Sequence, residues 1–110
     1  MATRADLVID QGTTFSTVVT VTDDSGNVTD VTGYTANAQM RAHHTSSSIT
    51  KTFTIANGGT NGELTLSLNY ANTAAITSGR YVYDVEVTSG SNVRSRVVEG
   101  IVTVNANVTR

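Results

Sequence analysis

The sequence predicts an all-β chain: an antiparallel sandwich of two sheets, with about seven or eight strands and one short helical turn. Three observations predict it. Polar and apolar residues alternate with period two through most of the chain. The pattern is cleanest in RYVYDVEV, residues 80–87, where Tyr81, Tyr83, Val85 and Val87 take one face and Val82, Asp84 and Glu86 the other. Twenty of the 110 residues are threonine and fifteen are valine, and both residue types fit a pleated, half-buried surface. The segments between the alternating runs are short turns, too short for the crossover helix of a parallel β-helix-β unit. The sheets are therefore expected to be antiparallel throughout.

The length is that of one domain, residues 1–110, able to bury roughly 60–68% of its unfolded surface. No cysteine is present, which excludes disulfides and thiolate metal sites and suits synthesis in a reducing cytosol. Charged residues make up only 15% of the chain, with a formal net charge of -2 and a single lysine. They are spread rather than clustered, so no stretch forms the basic surface that nucleic-acid backbones require. No apolar run is long enough for a secretion signal or a membrane span.

The elements follow in order. Residues 6–9 form a short first strand, broken by Gln11-Gly12. Phe15, Thr17, Val19 and Val21 then alternate with Ser16, Val18, Thr20 and Thr22. Residues 23–27 form a turn, because aspartate and serine bond nearby backbone and glycine accepts positive φ. A brief extended piece, Val28 to Val31, leads to Gly33. The next strand turns Tyr34, Ala36, Ala38 and Met40 to one side and Thr35, Asn37, Gln39 and Arg41 to the other. Residues 43–48 are a polar loop. Residues 49–55 read as a strand with Ile49, Phe53 and Ile55 as its apolar side. The glycine-rich stretch 57–62 is a turn, and Leu64, Leu66 and Leu68 then point inward. Residues 69–79 lose the two-residue period. Asn72 is placed to cap one helical turn through Ala74, Ala75 and Ile76, with Gly79 ending it, as a crossing from one sheet to the other. Residues 80–88 are the central core strand, 89–92 a hairpin turn, and 93–104 the last strand. Residues 1–5 and 105–110 read as extended terminal arms.

The last strand has apolar residues on both faces. Val98, Gly100, Val102 and Val104 share one, and Val93, Val97, Ile101 and Thr103 share the other. Arg94 and Arg96 fall on the Val98 face and must emerge at the sandwich edge. Two readings stay open: a second chain covers the Val93, Val97 and Ile101 face, or a bulge near Glu99-Gly100 swaps the faces. A mid-strand glycine favours the bulge.

The candidate chemistry is sparse. His43 and His44 are adjacent and would point to opposite faces of a strand, a poor chelate for zinc. Asp23, Asp24, Asn27 and Asp30 are oxygen donors in a turn, but they match no twelve-residue calcium loop. Asp84 and Glu86 share a face. Acid–base work by such a pair needs a cleft and contrasting environments, and a small sandwich is expected to lack that room, leaving Asp84 to pair with Arg80 or Arg94 at the rim. No catalytic residue, metal site or cofactor is expected, and neither nucleic acid, a membrane nor a small-molecule substrate is expected as partner. Asn27-Val28-Thr29 and Asn107-Val108-Thr109 match the glycosylation pattern, as chance matches do in a chain this rich in asparagine and threonine.

Four segments together resemble a known group: IDQGTTF (9–15), DDSGNVTDVTGYTANAQMR (23–41), NTAAITSGRYVYDVEV (72–87) and VVEGIVTVNANVTR (97–110). The chain resembles small virion-associated structural proteins of tailed bacteriophages and prophages. It is more distantly similar to the immunoglobulin-like N-terminal domain of phage baseplate upper proteins. The resemblance implies an immunoglobulin-like sandwich with structural roles for particular residues. Asp30, Thr32, Gly33 and Tyr34 would form the turn into the strand ending at Arg41. Thr73, Ala74 and Ile76 would form the crossover turn. Gly79, Tyr81, Tyr83 and Asp84 would begin the central strand, and Gly100 would sit within the last. The chain departs from the group at Ile76-Thr77, where many relatives read leucine-proline. It also lacks the trimer-forming and receptor-binding extensions of baseplate upper proteins, so direct host recognition is not expected. The implied function is a non-enzymatic virion component of the tail or baseplate, made in the host cytoplasm and contacting phage proteins and copies of itself. The alternatives are a capsid decoration protein and, further off, a carbohydrate-binding module stacking sugars on Tyr34 or Tyr70. The expected contact residues are Val93, Val97, Ile101, Val108 and Arg110.

Overall fold

The structure, a computed structural model, describes residues 3–23 and 25–108. Arg110 and Asp24 therefore lie outside the described residues. Strands dominate: β1 (Thr3–Arg4), β2 (Leu7–Asp10), β3 (Phe15–Thr20), β4 (Thr35–Arg41), β5 (Lys51–Thr52), β6 (Thr54–Asn57), β7 (Glu63–Leu68), β8 (Gly79–Thr88) and β9 (Arg94–Asn105). A short 3-10 turn covers Gly59–Asn61, and one helix, α1, covers Tyr70–Ala74. The larger sheet runs β1 and β2, β9, β8, β4, β5, and the smaller runs β3, β7, β6.

The alternation read from sequence becomes the inner and outer faces of these sheets. Tyr83, Val85 and Val87 are buried on β8, and Ala38 and Met40 on β4. Leu64, Leu66 and Leu68 supply the opposing face from β7, with Val19 beside them. Burying each large aliphatic side chain contributes roughly 1.5–3 kcal/mol relative to leaving it exposed. Phe53 lies between the sheets, its ring centroid 6.1 Å from those of Phe15 and Tyr83.

The predicted strand 49–55 is in fact two. Lys51–Thr52 pairs with β4 in the larger sheet, and Thr54–Asn57 pairs with β7 in the smaller. The chain changes sheets at Phe53, whose amide donates to the Ala38 carbonyl (2.9 Å). Ile49 precedes this switch and stands exposed, not on the apolar side.

Antiparallel pairing holds except at one edge. β1 and β2 run parallel to β9, with Thr3 opposite Val98 and Leu7 opposite Val102. The missing crossover helices do not forbid this, because the first and last strands are not consecutive and no direct connection joins them. The amino-terminal residues from Thr3 onward are thus part of the sheet rather than a free arm. At the other end Asn105 still belongs to β9, and the Asn107 amide donates to Gln11 Oε1 (3.3 Å).

The crossover between sheets is a short helix, as expected, but it starts earlier. Asn69, not Asn72, is its cap: Asn69 Oδ1 accepts from the Asn72 amide (2.8 Å). Ala75 closes the helix, while Gly79 is already the first residue of β8. Thr73 is fully buried and its hydroxyl donates to the Thr13 carbonyl (2.7 Å), with the Tyr70 carbonyl 3.1 Å away. Gln11 Nε2 donates to the Ile76 carbonyl (2.6 Å), so the turn after β2 and the crossover are tied together.

Candidate interaction face

The turn before β4 is built by residues that the resemblance singles out. Asp30 Oδ1 accepts from the Thr32 amide (2.9 Å) and the Tyr34 amide donates to the Val31 carbonyl (2.9 Å). Gly33 sits between at φ 79°, a left-handed conformation that a side chain would strain. Hydrogen bonds from Thr32, side chain first and then backbone, hold the Asp30 carboxyl below its ordinary pKa. Asp30 is therefore engaged in a turn. Asp23 is likewise engaged, its Oδ1 accepting from the amides of Ser25 (2.9 Å) and Asn27 (3.0 Å). Among the described residues no group of three or more histidines and acids is placed to hold a metal ion. No helix among them is long and apolar enough to cross a membrane.

The last strand is bulged, but not at the glycine. Val85 pairs with Val98 and Glu86 with Arg96, which leaves Val97 as the extra residue. Two residues of β9 thus span one step of β8, and the side chains before Val97 change faces. Arg94 and Arg96 come out beside Glu99 and Ile101 on the outer face instead of lying on the Val98 face. Val97 turns its partly buried side chain against the core, and Val93 lies before the strand, 60% exposed. The predicted contact row Val93, Val97 and Ile101 is therefore broken up: only Ile101 lies on the outer face of the sheet. Val108 is 91% exposed.

Gly100 has a different task from the one expected. A Cβ there would lie 2.2 Å from the Ala5 carbonyl oxygen. The link between β1 and β2 runs beside β9 and presses the Ala5 carbonyl against this position, where only glycine leaves room. Three hydrogen bonds secure the link. The Ala5 amide donates to the Glu99 carbonyl (2.9 Å), the Ile101 amide donates to Asp6 Oδ1 (3.0 Å), and the Tyr83 hydroxyl donates to the Ala5 carbonyl. Tyr81 is partly buried against the core, its hydroxyl donating to the Thr77 carbonyl (2.5 Å).

The outer face of the larger sheet is concave, a trough of about 800 Å3. The trough stands open to solvent, a surface hollow rather than an enclosed cleft. At one end Val82 and Ile101, cross-strand partners, form a partly buried apolar floor. Along the trough lie Arg4, Arg41, Arg94 and Arg96 with Asp84, Glu86 and Glu99, and His44 borders it from its exposed turn. Arg96, not Arg80 or Arg94, pairs with Asp84 (Nε to Oδ2, 3.3 Å), and it also reaches Glu99 (3.1 Å). Arg41 donates to the Ser46 carbonyl (2.9 Å) and Gln39 Oε1 (3.1 Å). Partial burial, and then the Glu86 charge, push the Asp84 carboxyl above its ordinary pKa, against the pull of Arg96. The bulge at Val97, which sequence reasoning placed elsewhere, is what brings Arg96 between the two acids. The interleaved charges form no continuous cationic surface of the kind a nucleic-acid backbone needs. What they offer is a charged, hydrogen-bonding surface with an apolar spot at one end, features that protein contacts use.

Of the two tyrosines considered for stacking sugars, Tyr34 packs against the core, while Tyr70 stands 66% exposed on α1.

No family model matches the chain, and no curated protein matches its sequence. Solved structures match in fold. One is the GspB Siglec domain, at 15% identity and a TM-score of 0.55, over 93% of this chain and 54% of that one. The chain thus spans about half the length of that structure. Another is a chain from the structure of T cell specificity and activation by the bacterial superantigen toxic shock syndrome toxin-1. It is 16% identical with a TM-score of 0.51, covering 93% of this chain and 92% of that one. At such identities the likeness is one of fold alone. The protein is an all-β sandwich of the immunoglobulin-like class.

Proposed function

We propose that the protein is a non-enzymatic structural component of a tailed-phage virion, seated in the tail or baseplate through contact with neighbouring proteins. The resemblance of its four segments to such proteins supports the reading. The observation that carries it is the outer trough: an apolar spot of Val82 and Ile101 at one end of a surface of arginines and carboxylates, suited to receive one anchoring side chain of a protein neighbour. Asp84 in the trough is bound to Arg96, and in this reading it holds that arginine in place.

Cryo-electron microscopy of the intact particle tests this. The expected outcome is density for the chain in the tail or baseplate, with a neighbouring protein against the Val82 and Ile101 face. Density repeated over the head lattice would make it a decoration protein instead. Absence from the particle would end the virion reading.

A further inference from the structure

We propose that β3 is a self-association edge, through which two copies pair antiparallel about a two-fold axis at Val18. The observation is a contrast between edges. β3 pairs with β7 on one side only, and among the described residues its other side carries no strand. It is six residues long, FSTVVT, with no charge, proline or glycine. Sheet proteins normally protect such edges with charge, shortness or cover. This molecule protects its others: β2 ends in Asp10, β5 is only two residues and begins with Lys51, and β6 ends in Asn57, whose side chain is tied to the Val31 and Tyr34 carbonyls.

The sequence of β3 is complementary to itself. A pairing centred on Val18 places it against its two-fold mate, sets Ser16 opposite Thr20, and sets Thr17 opposite Val19. Such pairs of β-branched and hydroxyl side chains favour antiparallel neighbours. Val18 is 53% exposed and would be covered by its mate. A charge on the axis would meet its own copy, and Val18, the residue placed there, carries none. The occupant is therefore another molecule of the same chain, its three-stranded sheet extending this one. This inference stands apart from the virion reading and uses the opposite sheet from the trough.

The test is sedimentation of the full chain from roughly 1 to 500 μM. The expected result is a shift from the 11.6 kDa monomer to twice that mass. Val18→Lys, which places two ammonium groups together at the axis, should weaken the dimer on the order of 100-fold. Its melting temperature, extrapolated to the monomer, should stay unchanged because the position is exposed. The chain lacks cysteine, so Val18→Cys gives a second readout: its thiol should form an intermolecular disulfide on mild oxidation, while Val8→Cys on the other sheet should not. A wild-type chain that stays monomeric throughout overturns the proposal. So does a dimer indifferent to Val18→Lys, or a monomer that accepts only a foreign extended peptide at this edge.

Discussion

Tyr83 joins the central strand to the amino-terminal one. Its ring lies in the core and its hydroxyl donates to the Ala5 carbonyl. Burial first, and then the Asp6 charge, push its pKa up to about 12. An unfolded tyrosine titrates near 10, so the folded state holds the proton more tightly. This stabilisation is complete below about pH 10 and is lost as pH rises from there toward 12. Urea unfolding should show that alkaline loss in the wild type and not in Tyr83→Phe, which at neutral pH should cost roughly 1–2 kcal/mol for the lost hydrogen bond. Asp84 follows the same sign at the acid end. Its folded pKa is raised, so its contribution is full below the ordinary carboxylate range and declines as pH rises above it. At neutral pH the ionised group is a net cost despite Arg96. Asp84→Asn should therefore leave stability at pH 7 unchanged or higher by up to roughly 1 kcal/mol, since the group is partly exposed and screened. It should also flatten the rise in stability on acidification toward pH 4. A drop of several kcal/mol at neutral pH would show instead that the ion pair dominates.

At the scale of elements, α1 is far too short to be stable alone. It is held by contacts distant in sequence, above all the Thr73 hydroxyl on the Thr13 carbonyl and Gln11 on Ile76. Thr73→Val keeps the shape but takes the donor from the Thr13 carbonyl, which is only part-buried, at a cost of roughly 0.5–1.5 kcal/mol. Hydrogen exchange should quicken across residues 70–76 and in the turn at 11–14 together, because one bond serves both. The bulge in β9 shows the same dependence on context. Its extra residue is Val97, since β8 runs in one register with Val98–Val104 and in another with Arg94–Arg96. Without that step Arg96 would face the core.

For the whole molecule, the parallel edge formed by β1 and β2 closes the larger sheet and fixes how the chain begins. It depends on one residue with no side chain. In Gly100→Ala the new methyl would meet the Ala5 carbonyl, and the edge must shift. The expected cost is roughly 1–3 kcal/mol, with exchange protection lost over residues 3–10 and retained on β7 and β8. Uniform loss of protection in all strands would mean that the edge is integral to the folding unit rather than a docked piece.

Most strands, their inward residues and the existence of a crossover within 69–79 were legible in the sequence, because alternation is a local consequence of backbone geometry, although the helix cap is Asn69 rather than Asn72. Tyr83, Val85 and Met40 could be placed inside from their neighbours alone. The turn at Asp30, Gly33 and Tyr34 was marked by the resemblance rather than by the local pattern, and the structure builds it. The sites were another matter. Gly100 signalled a special position, yet its meaning lies in Ala5, far away in the chain. The bulge at Val97, the sheet change at Phe53, the parallel first strand and the Arg96 link between Asp84 and Glu99 are all relations between distant segments. Period two states which way a side chain faces but not which strand lies beside it, so only the tertiary pairing decided the trough and the open edge of β3.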